Sequence, residues 1–320
     1  MLRLGLRLTL FCLPLLAGWA VLECWMARVP SSHSVKHEHL QSLAGEIDTL
    51  VLGSSSANWD IVPQYLPGSA FNLANVAQSL YYDDQLLTRV APTLPKLKRV
   101  IIVVSYISLF YQIHGTPEEA RQYYYYQEWS IPPQRWRDRL DIRMWSAVVL
   151  RTPAFAVDSL RSALMRRIRG GGFTAPALDY PIDARGWSAA PADQQSVPTV
   201  AAIERKLSYH HDLMHLANER ANLDSLEHML GLMRTRHIDV AVITTPVWPG
   251  YLAGMRTEYR QRTRADLDAL CVKYQARCLS FLSTPALQPQ DFLDEDHLNE
   301  RGAVRFTELL STALQRPRTE

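Results

Sequence analysis

The feature that most limits the fold is a set of short, nearly uninterrupted apolar runs. Residues 99–105, Arg-Val-Ile-Ile-Val-Val-Ser, place five consecutive Val and Ile residues between an arginine and a serine. Such a run, without alternation, reads as a strand buried on both faces, which requires a parallel sheet covered by helices on each side. Residues 49–52 and 239–244 have the same character, and residues 70–73 and 277–282 read as two further strands. Helical segments fall between them at residues 79–91, stopped by Pro92, and 259–274. Alternating strands and helices imply an α/β fold, whose sites gather at the carboxyl ends of the strands.

Two stretches fall at such ends. Gly53-Ser54-Ser55-Ser56 follows the first run, and the residues after it open a short helix ending near Pro63. Glycine permits a sharp strand-to-helix turn, and a helix N-terminus favours developing negative charge. A serine hydroxyl there suits acyl chemistry; the plainer alternative is a serine-rich turn. Near the other end, Asp294-Glu295-Asp296-His297 precedes a helix with apolar Val304, Phe306, Leu309, Leu310, Ala313 and Leu314. A carboxylate three residues before a histidine can orient the ring and stabilise its charged form. Otherwise His297 merely precedes a helix.

Together the two stretches resemble the SGNH/GDSL hydrolase superfamily, in which Gly-x-Ser lies near the N-terminus and Asp-x-x-His lies just before the last helix. The resemblance covers roughly residues 46–314 and implies Ser55 as nucleophile, His297 as base and Asp294 as the orienting carboxylate, with Asp296 adjacent and within loop reach. Two departures stand out. Residues 71–79 occupy the second block without its glycine, and residues 103–108 occupy the third without Gly-x-Asn. Asn75 and Ser105 are the oxyanion or substrate candidates beside the Ser55 backbone N–H. Loss of the third block resembles a divergent, membrane-tethered branch, DltD-like or alginate O-acetylation-like. That branch implies O-acyl transfer, acetyl included, to a cell-envelope or secreted polysaccharide, with a membrane-bound O-acyltransferase as partner. Plain ester hydrolysis and a silent polysaccharide-binding scaffold are the alternatives.

The expected architecture is a three-layer α/β/α domain around a parallel, flavodoxin-like sheet of about five strands, spanning residues 46–320, with a helical insertion at about 106–237. Residues 1–30 read as an N-terminal transmembrane helix. Arg3 and Arg7 precede an uncharged run from residue 8 to 22, and apolar character continues to residue 27 with only Glu23 interrupting. A bilayer needs about 20 residues, and upstream arginines favour a cytoplasmic N-terminus. The bulk of the chain is then expected in the periplasm or exterior. Residues 31–45 read as a polar linker or short helix.

A net charge of +2 gives no field suited to nucleic acid, and no phosphate loop or dinucleotide motif calls for a cofactor. Arg161, Arg166, Arg167 and Arg169 form a basic cluster, either a solvated face or a contact for headgroups or an anionic polymer. Of the four cysteines, Cys271 and Cys278 fit no zinc pattern. They form either a disulfide or two buried thiols, and pairing is the expectation for an exported domain. The insertion is punctuated by Pro132-Pro133, the glycines at 170–172 and the stretch 191–198. Its tyrosines at 123–126, with Trp129 and Trp136, either line a substrate groove or pack between helices. Residues 201–235 form one long helix or two; His211 and His215, four apart, are solvated rather than metal-binding, and no metal is expected.

Overall fold

The computed structural model describes residues 2–175, 178, 180–189 and 197–316; most of the stretch at 191–198 lies outside them. The elements run α1 (Leu2–Met26), α2 (Ser32–Leu43), β1 (Thr49–Leu52), α3 (Ser55–Asp60), β2 (Ala70–Asn72), α4 (Leu80–Val90), β3 (Arg99–Val103), α5 (Gln122–Trp129), α6 (Ala147–Leu150), α7 (Pro153–Ile168), α8 (Val200–Leu213), α9 (Glu219–Thr235), β4 (Asp239–Thr244), α10 (Pro249–Gly254), α11 (Thr257–Tyr274), β5 (Arg277–Ser280) and α12 (Glu300–Gln315). They divide into two compact units, Met1–Ser34 with Gln122–Asp179, and Val35–Arg121 with Tyr180–Glu320.

The larger unit is the α/β domain. Its five strands are all parallel, in the order β2-β1-β3-β4-β5, the flavodoxin-like order. Leu50 pairs with Phe71 on one side and Val100 on the other, and Ile101 pairs with Ala241. The three central strands are the continuous apolar runs, because each is covered on both faces. Val51, Ile101, Val103 and Ile243 pack on one face against Ala303, Phe306, Leu310 and Leu314 of α12. Those four positions recur at helical spacing and make one apolar stripe. The alternate strand residues point to the opposite face, where α9 packs on β4, α4 and α11.

Residues 201–235 form two helices, α8 and α9, separated by a turn in which the His215 N–H donates to the Phe110 carbonyl at 3.0 Å. His211 and His215 therefore do not share a helix face. The expected linker is largely helical: α2 runs for 12 residues. One cause is Lys36, fully buried, whose ammonium donates to Asn58 Oδ1 at 2.8 Å and to the Ala74 carbonyl.

The smaller unit gathers α1, α5, α6 and α7. Trp25, Met26 and Val29 form a core with Val148, Ala156 and Ala163. Trp25 Nε1 donates to Ser159 Oγ at 2.8 Å. The Glu23 carboxylate accepts from the Ser146 hydroxyl and from the backbone N–H groups of Ala147 at 3.0 Å and Val148 at 3.4 Å, and so caps α6. Tyr123 and Tyr125 are buried here, so they pack and do not line a groove.

The N-terminal run departs from its expectation as a transmembrane helix. No helix among the described residues is long and apolar enough to cross a membrane. The last turn of α1 belongs to protein packing, since Glu23 caps α6 while Trp25 and Met26 enter the core. Residues 10–21 are nevertheless exposed on every side of the helix.

Cys271, in the last turn of α11, and Cys278, on β5, are bonded with their Cα atoms 6.0 Å apart. The tight return from α11 to β5 brings them together, with Gln275 in the left-handed region at φ 56° ending the helix. Closing this short loop contributes about 2–3 kcal/mol by chain entropy. A Cys271→Ala/Cys278→Ala chain is therefore expected to lose about 2 kcal/mol in urea unfolding. Thiol labelling of the unfolded, unreduced wild type should find only Cys12 and Cys24; four reactive thiols would refute the bridge.

Candidate active site

Ser55 is the first residue of α3, at the carboxyl end of β1. Gly53 makes that turn possible. It sits at φ +139°, and a Cβ there would lie 2.8 Å from Val103 Cβ and 3.0 Å from the Val103 carbonyl oxygen on β3. The Gly53 N–H is held by the carboxylate of Asp83 on α4, which also accepts from Gln78 Nε2 at 2.6 Å. Burial pushes Asp83 up to about 7. The first intrahelical bond of α3 runs from the Asn58 N–H to the Ser54 carbonyl, so the N–H groups of the first turn stay available for a ligand.

His297 arrives on the loop before α12. A bridge between Phe292 and Leu298 closes this loop, and the Leu293 N–H donates to the His297 carbonyl at 2.9 Å. Asn299 caps α12 by accepting from the Gly302 N–H at 3.0 Å. The loop is also fastened to α3, because the Leu298 N–H donates to Asp60 Oδ1 at 2.8 Å in a fully buried setting.

The structure brings together the three residues singled out from the sequence. His297 Nε2 lies 2.9 Å from Ser55 Oγ, and His297 Nδ1 lies 3.0 Å from each oxygen of Asp294. Asp294 is an acceptor only, so Nδ1 carries hydrogen and neutral His297 presents Nε2 to the serine hydroxyl. Asp294 Oδ1 also accepts the N–H groups of Asp296 at 3.0 Å and His297 at 2.9 Å, which locks the carboxylate in place. Asp296 is turned elsewhere. Its Oδ1 is 3.5 Å from His297 Nδ1 but 2.8 Å from Lys206 Nζ, and its Oδ2 is 3.8 Å from His210 Nε2. Lys206 also reaches Asp294 Oδ2 at 3.3 Å. The oxygens of Asp294 and Asp296 with a His297 nitrogen lie within 4.8 Å of one another, close enough for a metal ion, but Lys206 and the ring already answer both carboxylates.

These charges set the proton affinities. Burial alone would lower His297, but the Asp294 and Asp296 carboxylates outweigh it and push the imidazole up to about 9. Burial would raise Asp294, yet His297 and Lys206 hold it well below the usual carboxylate range. Burial would lower Lys206, and the two aspartates keep it charged above the ordinary lysine value. Burial lowers His210, which shares a hydrogen bond with the Tyr251 hydroxyl.

The site opens into a cavity of 260 Å³ lined by Ser55, His297 and the rings of Trp59, Tyr106, Tyr111 and Tyr180. Of the two oxyanion candidates, Asn75 is buried and its Nδ2 has no hydrogen-bond partner among the described residues. The residues following it, Val76 to Gln78, line the cavity, and Ala77 among them is held at φ 60°. Ser105 also lines the cavity, but its hydroxyl is paired with Ser108 Oγ at 2.9 Å. Four contributors were not read from the sequence: Lys206, Asp60, Asp83 and the His210–Tyr251 pair. Asp60 alone left a trace, as an acidic residue on the short helix that Ser55 opens.

No protein-family model matches the chain, and no curated protein matches it. Among solved structures, the chain is similar to a "putative acylhydrolase" from Bacteroides fragilis NCTC 9343, with TM-score 0.39 and 10% identity over 86% of this chain and 94% of that one. It is also similar to a "putative platelet activating factor" from Streptococcus pneumonia, with TM-score 0.41 and 10% identity over 95% of this chain and 98% of that one.

The charge arrangement is open to direct measurement. In nitrogen-detected NMR titrations the His297 ring is expected to titrate at about 9. Asp296→Asn should lower this and Asp294→Asn should lower it further, since the nearer charge acts more strongly. A ring that titrates at the ordinary imidazole value, or responds equally to both substitutions, would contradict the arrangement.

Proposed function

We propose that this chain is a serine-dependent acyl-transferring enzyme. The observation that carries the reading is the hydrogen-bonded line from Ser55 Oγ through His297 to Asp294, opening on a cavity. In this reading Ser55 attacks an ester carbonyl as His297 Nε2 takes its proton. The tetrahedral oxyanion is received by the N–H groups of the first turn of α3 and by Asn75 Nδ2. His297 then returns the proton to the leaving alkoxide, and Asp294 stabilises the imidazolium. A second acceptor discharges the acyl-serine.

For that acceptor we favour a sugar hydroxyl of a cell-envelope or secreted polysaccharide, with the acyl group supplied through a membrane-bound O-acyltransferase. Support comes from the motif resemblance to the tethered polysaccharide-modifying branch and from the aromatic lining, whose rings suit the faces of sugars. Release to water, as an esterase, is the same chemistry with a different acceptor. We place the protein at a membrane, outside the cytoplasm. The exposed apolar residues 10–21 support a tether, because a helix apolar all round needs a non-aqueous environment. The Cys271–Cys278 bond supports an oxidising compartment.

Ser55→Ala is expected to lower acyl-ester turnover about a thousandfold or more and to abolish labelling by a fluorophosphonate, while Ser54→Ala and Ser56→Ala retain labelling. Wild-type turnover by Ser55→Ala would end the enzyme reading. Because the base must be neutral to accept a proton, kcat/KM is expected to rise with pH until it levels above about 9.

A further inference from the structure

The smaller unit carries a surface that the chemistry at Ser55 does not use. Residues 135–145 read Arg-Trp-Arg-Asp-Arg-Leu-Asp-Ile-Arg-Met-Trp. Four large apolar side chains stand out into solvent: Trp136 at 65% exposure, Leu140 at 76%, Ile142 at 61% and Trp145 at 66%. Their exposure is not that of a loose strand. Met144 is buried beneath them. The Arg143 guanidinium pairs with Asp141 at 2.7 Å and lies 4.9 Å over the buried Tyr123 ring, and Trp145 sits edge-on to Tyr126 at 5.2 Å. A fixed backbone thus presents two tryptophans and two aliphatic residues outward, at a cost in water that some partner must relieve.

We propose that this segment seats the smaller unit on an anionic lipid surface. Three observations select lipid as the occupant. The first is position. The segment ends at Trp145, and the next three residues, Ser146 to Val148, bind the Glu23 carboxylate. Glu23 lies where α1 passes from its exposed apolar stretch into the packed core, so the segment stands at the foot of that stretch.

The second is charge. Arg135, Arg137 and Arg139 are exposed and alternate with the apolar residues. The segment has four arginines against two aspartates, and Asp141 is already matched by Arg143. On α7 and just beyond it stand exposed Arg161, Arg166, Arg167 and Arg169, with Asp158 the one acidic residue in the α7 sequence and Leu164 and Ile168 exposed among them. Anionic headgroups complement this charge.

The third is composition. Tryptophan rings and arginine stems bridge the headgroup and acyl layers, an apolar body below and a polar tip above. The seat adds to the tether through α1 and is independent of the chemistry at Ser55.

The test uses the full chain and flotation with vesicles of phosphatidylglycerol-rich or pure phosphatidylcholine composition. To isolate the seat from α1, the parent carries Leu13→Lys and Leu16→Lys in the exposed stretch. This parent is expected to float with phosphatidylglycerol vesicles at low salt, to be released by high salt, and to bind phosphatidylcholine far less. Replacing Trp136, Leu140, Ile142 and Trp145 by serine, or separately Arg135, Arg137 and Arg139 by glutamine, should weaken phosphatidylglycerol binding by about tenfold or more. All seven substituted residues are exposed, and an unchanged thermal transition verifies each fold. Equal binding to both lipids, or binding untouched by either set, overturns the proposal. Binding to a membrane protein with none to phosphatidylglycerol overturns it in favour of a protein partner. Failure of α1 as a tether would be recognised separately, as loss of salt-resistant flotation by the unsubstituted chain while salt-sensitive binding persists.

Discussion

The contact on which the site depends is the hydrogen bond from the Leu298 N–H to Asp60 Oδ1, 2.8 Å long and buried. Ser55 and His297 come from opposite ends of the chain, 242 residues apart. A parallel sheet makes their meeting possible, because every strand delivers its carboxyl end to the same edge. It does not by itself fix the distance between a hydroxyl and an imidazole. Asp60 does, by joining the far end of the helix that Ser55 opens to the residue after His297. Thr307 strengthens the joint from α12, accepting the Val62 N–H at 3.0 Å while its own hydroxyl donates to the Ala303 carbonyl at 2.7 Å. Burial pushes the Asp60 carboxyl well above the usual range, with the His297 charge and the Leu298 N–H acting against it. A carboxyl in that position costs stability, and here it holds α3 and the His297 loop in register.

The charges around His297 follow the same logic. A histidine beside one carboxylate would be a base poised near neutrality, but two carboxylates lie within 3.5 Å of Nδ1. Lys206 answers both, and His210, kept neutral by burial, adds no second positive charge. The balance still favours the charged ring. In the proposed reaction, such a balance would stabilise an imidazolium more than it would ease the first proton removal.

Much of this was legible in the sequence, for physical reasons that also mark the limit. The bounds of β1 and β4 are those of the apolar runs, because burial on both faces leaves no polar position inside a strand. β3 and β5 stop short of their runs, since Val104 continues one more bond to Ile243 while the chain already turns into the site. Ser55, Asp294 and His297 were readable because local spacing encodes a turn and an Asp-x-x-His loop. Lys206 was not, because nothing near it in sequence records that α8 will lie against a loop 88 residues away. The tyrosines at 123–126 left two readings open, since aromatic density alone does not separate a packed helix from a groove. The apolar N-terminal run was visible too, but not that Glu23, which interrupts it, would be used to cap α6.

The missing glycine of the second block has a structural counterpart. Asn72 occupies the end of β2, and its Nδ2 donates to the Ala57 carbonyl at 2.7 Å and the Ile61 carbonyl at 2.9 Å, while its Oδ1 accepts the Ala74 N–H at 3.1 Å. One side chain thereby ties the middle and the C-terminal end of α3 to the loop that carries Asn75. Lys36 closes the clamp from the other side, through Asn58 of α3 and the Ala74 carbonyl. Burial pulls that ammonium down to about 7, so the clamp is sustained against a desolvation cost. A glycine in such a loop lets a backbone N–H approach an oxyanion. Here the loop is fixed by side-chain bonds, and Asn75 Nδ2, buried just before the cavity-lining Val76, has no hydrogen-bond partner among the described residues. An unpaired buried donor is costly in the resting protein and is best relieved by an acceptor that appears only when substrate is bound. The same clamp that holds α3, and with it Ser55, also holds the loop of Asn75, so the two residues move as one body.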